Sequence, residues 1–206
     1  MDKIRYFISQ SWLLIVASFC FGLLLAVTDA ALSPRIEQNR IDKLNRLVKT
    51  LIPEAEHFKP LDEQIEIRTF RGEKEQVTVY KAVGTSGERV GWSFNAAGTG
   101  FQDTIELVVA VDSDFQKLKG FRCLSSNETP GFGDQIKSAD FRAQFEGAPA
   151  SELSLVTTGD REKVDSEIVA ITGATISSEA VVDIINTYVT QVKEKMHKKG
   201  LVSDGK

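Results

Sequence analysis

Ile171-Thr172-Gly173-Ala174-Thr175-Ile176-Ser177-Ser178-Glu179-Ala180 marks the corner at which a β-type run, residues 164–171, gives way to a helix. Beyond the corner Val181, Ile185, Tyr188, Val189, Val192 and Met196 recur at the spacing of one helix face, so the chain ends in a long amphipathic helix. The basic cluster at residues 193–199 suits that helix's negative end. Hydroxyls at 172, 175, 177 and 178 surround a Gly173-Ala174 pair that has almost no side-chain bulk. A helix N-terminus offers unpaired N–H groups and a partial positive charge, so this corner can hold a phosphate without lysine or arginine. Ordinary N-capping by a Thr or Ser explains the same residues, and both readings stay open on the corner alone. The chain has neither a P-loop pattern nor a Gly-x-Gly-x-x-Gly opening a helix, which argues against nucleoside-triphosphate and Rossmann sites.

Upstream of the corner the hydrophobic period is two. Residues 77–82 alternate and lead through Gly84-Thr85-Ser86-Gly87 into residues 89–94, which predicts a hairpin. A second pair, 105–111 and 118–124, is joined by residues 112–117. Asp112-x-Asp114 in that joint reads as a turn rather than a metal site, because no further carboxylates accompany it. Residues 125–135 break the alternation with Pro130-Gly131 and a second glycine, Gly133, which predicts an exposed, shaped loop. A short helix is predicted at 138–145, with strands at 153–157 and 164–171. Strands followed by helices in one chain make the fold class α+β, with antiparallel strands packed against helices.

The first part of the chain is of another kind. No residue from 6 to 28 is charged, and residues 12–27 are almost wholly apolar, enough to cross a hydrocarbon core of about 30 Å. Ala26, Ala30 and Ala31 would suit a signal peptidase, but the run is longer than the ~7–15 apolar residues of a signal sequence, which favours a transmembrane helix. Lys3 and Arg5 precede the run, and Asp29 and only then Arg35 follow it, so the positive-inside rule puts the N-terminus in the cytoplasm and the rest of the chain outside. Ser33-Pro34 reads as a helix start, and Ile41, Leu44, Val48, Leu51 and Ile52 keep helical spacing until Pro53. The expected organisation is 1–32 for the cytoplasmic N-terminus and span, 33–60 for a juxtamembrane amphipathic helix, and 61–206 for one folded domain.

Composition narrows the function classes. A net charge of -4 argues against a nucleic-acid binder, which needs clustered cations. Of the two cysteines, Cys20 lies within the span and Cys123 stands alone outside it, so no disulfide within the domain is expected. Trp92, Phe94 and Phe101 could stack on a planar ligand, although aromatic residues in a hairpin usually belong to the core. Gly98-Thr99-Gly100 reads as a turn, His57 and His197 as surface residues on helix-like segments, and Glu128 as a loop carboxylate without a paired base or nucleophile.

Two segments carry a resemblance. Thr172-Gly173-Ala174-Thr175 resembles the Ser/Thr-Gly-Ala-Thr motif of the FMN-binding domain family, in which a flavin transferase joins FMN phosphate to the last threonine. The loop Glu128-Thr129-Pro130-Gly131-Phe132-Gly133 resembles the same family's Glu-Thr-Pro-Gly-Leu-Gly signature, with Phe132 in place of leucine. Val169 stands where family members often have aspartate. With the anchor and the order of the motifs, nearly the whole chain is similar to the G components of Rnf ion-translocating electron transport complexes, relatives of the C component of the sodium-translocating NADH:quinone reductase.

The resemblance implies covalently attached FMN on Thr175, with Thr172, Gly173, Ala174 and Ser177 around the phosphate. Glu128, Thr129, Pro130 and Gly131 would then lie beside the isoalloxazine. It further implies an electron carrier in the cytoplasmic membrane with no turnover of its own, flavin domain outside. Such a carrier serves an ion-translocating complex that moves electrons between ferredoxin and NADH. Its partners would be the other subunits, a flavin transferase during maturation and the membrane. The alternative is a membrane-anchored binding or regulatory module that holds flavin non-covalently.

Overall fold

A computed structural model describes residues 2–69 and 71–202, the side chains of 2–5, 7–9 and 37 excepted. Lys3 and Arg5, on which the orientation reading rests, have side chains outside the described part. The chain divides into two compact units, Met1–Lys43 and Leu44–Lys206.

The first unit is helical. The helix α1 runs from Asp2 to Leu51, and the stretch from Gln10 is long and apolar enough to cross a membrane, with a mean hydropathy of 2.2 in its most apolar window. Large apolar side chains from Trp12 to Val27 are exposed, as a lipid-facing helix requires. The helix start expected at Ser33-Pro34 is absent: Pro34 lies inside α1. Proline leaves one carbonyl of the preceding turn without its N–H donor. In the turns before Pro34 the Thr28 and Ser33 hydroxyls donate back to the carbonyls of Leu24 (2.7 Å) and Asp29 (2.8 Å).

The second unit is built on a five-stranded antiparallel sheet. Its strands are β1 (Ala55–Pro60), β4 (Val79–Gly84), β5 (Arg89–Thr99), β6 (Thr104–Val111) and β7 (Leu118–Ser125), in the order β1-β4-β5-β6-β7. Between β1 and β4 a separate hairpin forms from β2 (Ile65–Arg68) and β3 (Lys74–Val77). The turn into β5 places Gly87 at φ 82°, and in the joint between β6 and β7 Asp112 Oδ1 accepts from the N–H of Gln116 at 2.7 Å. A 3-10 turn, Gly133–Lys137, and a short helix, α2 (Ala139–Ala143), follow, with Ser138 Oγ accepting from the N–H of Phe141. Strands β8 (Ser154–Val156) and β9 (Glu167–Val169) pair in parallel, unlike the rest, and the chain closes with α3, Thr175–Lys198.

Both faces of the sheet are covered, which explains why β6 is continuously apolar over residues 107–111. Ile105, Leu107, Val109 and Val111 join Trp92, Phe94, Phe121 and the buried face of α3 in the larger core. Val108 and Ala110 point the other way, into a smaller core with Ala82, Leu124 and the end of α1 at Leu44, Val48 and Leu51. All six residues predicted for the inner face of α3 are buried. His57 lies on strand β1, not on a helix, because residues 55–60 pair with β4 instead of continuing the helix past Pro53.

The hairpin β2–β3 is fastened to α3 by side chains. Gln191 accepts from the N–H of Arg68 and donates to its carbonyl, and the buried Tyr188 hydroxyl donates to Glu75 Oε2 at 2.5 Å. Burial, and then the bond to Glu75, push the Tyr188 phenol above its ordinary range. The folded chain therefore keeps this proton beyond about pH 10, where the unfolded chain releases it. The stabilisation is complete below that pH and is lost as pH rises through the folded value. Tyr188→Phe is expected to cost about 1 kcal/mol at neutral pH and to flatten the alkaline decline. Urea titrations at neutral pH and at about pH 11 check both effects.

Candidate functional site

The corner predicted from sequence is held by a hydroxyl, though not by a cap. Ser178 Oγ accepts from the N–H of Ile171 (3.0 Å) and donates to the carbonyl of Ala174 (2.9 Å), and the N–H of Ala174 returns to the carbonyl of Ile171. Gly173 takes φ 81°, a left-handed conformation that suits glycine. These bonds put Ala174, which has no polar side chain, at the N-cap of α3. Capping by Thr or Ser therefore does not occur. Among the described residues no acceptor meets the N–H groups of Thr175, Ile176 and Ser177, and the first turn contains no acidic residue.

A cleft of about 460 Å³ opens at this helix end. One wall is Gly173, Ala174, Thr175, Ile176 and Ser177, and the other is Glu128, Thr129, Phe132 and Gly133 of the shaped loop. Phe101, in the turn between β5 and β6, completes it. Of the residues expected at the site, Thr172, Pro130 and Gly131 lie outside this wall, while Gly131 shapes the loop at φ 79°. Its N–H donates to Asp134 Oδ1 (2.8 Å) and its carbonyl accepts from Gln135 Nε2 (2.7 Å).

The four hydroxyls of the corner now differ. Ser178 is spent on the turn, and Ser177 Oγ donates to Glu128 Oε2 at 2.5 Å. Thr172 and Thr175 are exposed, and of these two Thr175 faces the cleft. Glu128 is buried, 4% exposed, and its second oxygen accepts from the N–H of Gln102 at 3.1 Å. Thr129 Oγ1 donates to Gln102 Oε1 (3.2 Å), so the β5–β6 turn and the loop hold one another. Bonds from Asn127 and from the N–H of Thr104 hold the carboxyl of Asp103, in the same turn, below the usual range.

The structure sorts the three aromatic candidates. Trp92 and Phe94 are buried in the core, whereas Phe101 is 64% exposed at the cleft. Phe132 (57%) and Ile176 (55%) are exposed beside it, and with Val164 these are all the large exposed hydrophobics that the described residues show beyond α1. Three of four therefore rim one cleft, which marks a surface meant to be covered. Phe132, Ile176 and Gly133 were missed as site residues by sequence reasoning, since neither period nor charge distinguishes them. Val169 is buried in β9, its N–H and carbonyl both bonded to the amide of Gln144 (2.8 and 3.2 Å), an environment that takes an apolar side chain.

A second cavity, about 300 Å³, lies between the β2–β3 hairpin, β5 and α3. Asp183 on its wall has a carboxyl raised by burial and by nearby Glu179. It lies further along α3, away from the unfilled N–H groups of the first turn.

Comparisons with known proteins agree with this geometry. Residues 100–190 match the FMN-binding domain family. The chain is 31% identical over 179 residues to the G component of an ion-translocating oxidoreductase complex of Methanosarcina acetivorans, covering 87% of this chain and 90% of that one. It is 30% identical to the G component of the proton-translocating ferredoxin:NAD(+) oxidoreductase complex of Clostridium ljungdahlii, covering 87% and 88%. Among solved structures, NqrC of Shewanella oneidensis superposes with a TM-score of 0.57 at 21% identity, over 72% of each chain. The C component of the Na(+)-translocating NADH-quinone reductase of Parabacteroides distasonis gives 0.55 at 19%, over 83% of this chain and 98% of that one. These two similarities establish the fold.

Proposed function

Because the chain belongs to the family of G components of ion-translocating oxidoreductase complexes, we propose that it is a membrane-anchored electron-transfer subunit carrying one FMN bonded through its phosphate to Thr175. The observation that carries this reading is the state of the corner hydroxyls. Thr175 alone among them is exposed on the cleft, at a helix end with three unfilled N–H groups.

The residues present fit the group. The N–H groups of Thr175, Ile176 and Ser177 and the positive end of α3 would hold the phosphate oxygens. Among the described residues no lysine or arginine lines the cleft, which suits a diester, one charge lighter than free FMN phosphate. Phe101, Phe132 and Ile176 offer apolar surface to a planar ring, and the cleft falls within the range of about 300–1,000 Å³ common for small-molecule sites. FMN supplies the electron-carrying chemistry, and the protein supplies attachment, orientation and electrostatics. Glu128, Thr129, Pro130 and Gly131 belong to the loop that would meet the ring, and Thr172 and Gly173 to the approach to the phosphate.

The span in α1 would fasten the domain to the cytoplasmic membrane, and the positive-inside rule applied to the charges flanking it supports a flavin outside. Covalent attachment keeps the cofactor where no free pool replenishes it. The partners are the other subunits of an ion-translocating complex that moves electrons between ferredoxin and NADH, and a flavin transferase that loads Thr175. Coexpression with that transferase is expected to give a band that fluoresces in a denaturing gel, and an intact mass raised by one FMN less water. A colourless band of unmodified mass would overturn the reading, and flavin that leaves on denaturation would support the non-covalent module instead.

A further inference from the structure

Among the described residues Glu128 is the one ionisable group in the wall of the cleft, and the structure seats it with unusual constraint. Its two oxygens accept from Ser177 Oγ at 2.5 Å and from the N–H of Gln102 at 3.1 Å, and the side chain is buried. Two glycines make room for it. A Cβ at Gly100 would stand 2.3 Å from Oε1, and a Cβ at Gly133 would stand 2.7 Å from Oε2 and 2.7 Å from Ser177 Oγ. Side chains at either position would push the carboxyl out of its seat.

Among the described residues no lysine or arginine pairs with this carboxylate. A buried acid without a cation is costly. What offsets the cost here is the hydroxyl and amide donors together with the first turn of α3, to which Ser177 belongs. The same first turn carries Thr175. A buried carboxyl is thus fixed in the wall of the cleft whose rim residues Phe101 and Phe132 would meet the ring of a tethered flavin, the part that gains electrons on reduction.

We propose that Glu128 sets the reduction potential of the site, its buried carboxylate disfavouring added electrons and keeping the carrier at low potential. The inference rests on the flavin reading above. Electrostatic interaction weakens with solvent, so an exposed carboxylate on the same helix has far less effect than a buried one. Glu179, exposed on the second turn of α3, provides that comparison.

The test uses the full-length chain in detergent, loaded by coexpression with the flavin transferase. Intact mass, thermal melting and spectroelectrochemical midpoint are measured for wild type, Glu128→Gln, Glu128→Asp and Glu179→Gln. In flavin-loaded protein, Glu128→Gln is expected to shift the reduced-to-oxidised ratio at a fixed potential tenfold or more toward the reduced form, an upward move of about 59 mV per tenfold for one electron. Glu128→Asp, which keeps the charge, and Glu179→Gln are each expected to move it less than threefold. An unchanged midpoint in fully loaded Glu128→Gln overturns the inference, as does an equal shift in Glu179→Gln. Failure of Glu128→Gln to load also overturns it, since the carboxylate then serves attachment. A wild type without flavin mass sinks the flavin reading itself, and that result is seen before any variant is compared.

Discussion

Thr175→Ala is expected to abolish covalent flavin while leaving the fold intact. The side chain is exposed at the first position of α3 and, among the described residues, has no bonded partner that the folded chain would miss. Alanine is the better helix former by several tenths of a kcal/mol, so stability should stay within about 0.5 kcal/mol of wild type. What disappears is the exposed corner hydroxyl on the cleft, whereas those of Ser177 and Thr129 in the same wall donate to Glu128 and Gln102. Intact mass should fall to that of the bare chain, and the denaturing-gel fluorescence should vanish with it. Thr175→Ser restores a hydroxyl at the same place and is expected to recover part of the attachment. Thr172→Ala, altering the exposed neighbour outside the cleft wall, should keep it. Full flavin mass in Thr175→Ala would place the bond elsewhere, and loss in Thr172→Ala as complete as in Thr175→Ala would remove the distinction between the two hydroxyls.

The parts of this fold that were legible from sequence are those in which one local period meets one buried face. Val181, Ile185, Tyr188, Val189, Val192 and Met196 announce α3 because all of them pack on a single core. Strands β5, β6 and β7 are long and rich in branched and aromatic residues, and the turns between them carry glycine or aspartate. Strand β1 gave no such signal: Ala55 is its only buried side chain, and Glu56, His57, Lys59 and Pro60 are exposed along it. Hairpin β2–β3 has four residues on each side, and its inward residues Ile65, Ile67 and Val77 are too few to set a period. Pro34 misled because the pattern of a helix start also fits a proline carried inside a longer helix, where it removes one intrahelical bond.

The candidate site divides along the same line. Its two walls are short motifs, and the loop at 128–133 and the corner at 172–177 were found through their resemblance to a known family, since the corner alone left ordinary capping open. That they meet at one site was implied by the resemblance alone, because Glu128 and Ser177 are 49 residues apart and nothing periodic connects them. Gly100 and Gly133 look like turn glycines in sequence but are needed to give the Glu128 carboxyl its space. Phe101 was one aromatic among three until burial separated it from Trp92 and Phe94.

Phe121→Ala is expected to destabilise the flavin-carrying unit by about 3–5 kcal/mol, against a usual total of about 5–15. Phe121 on β7 is fully buried and meets the rings of Phe145 (4.9 Å, 85°) and Phe141 (6.4 Å, 77°) edge-on. Phe141 and Phe145 also meet each other, at 5.4 Å and 67°, so the three rings form a closed cluster. Such pairs add about 0.5–1.5 kcal/mol beyond the apolar area they bury. Removing the shared ring leaves a cavity that two rigid neighbours cannot fill by changing rotamer. The effect should extend to the site, because the cluster joins β7 to α2 and so supports the 3-10 turn at Gly133–Lys137 that ends the loop carrying Glu128. Urea titration of the full-length chain in detergent, followed by the fluorescence of Trp92 in the same core, should show the lower midpoint with an unchanged slope. Phe121→Leu, which keeps most of the volume, should recover the larger part. If Phe121→Ala costs less than about 1 kcal/mol, the rings are not packed as a unit, and the loop's support must be sought in Ile136 alone.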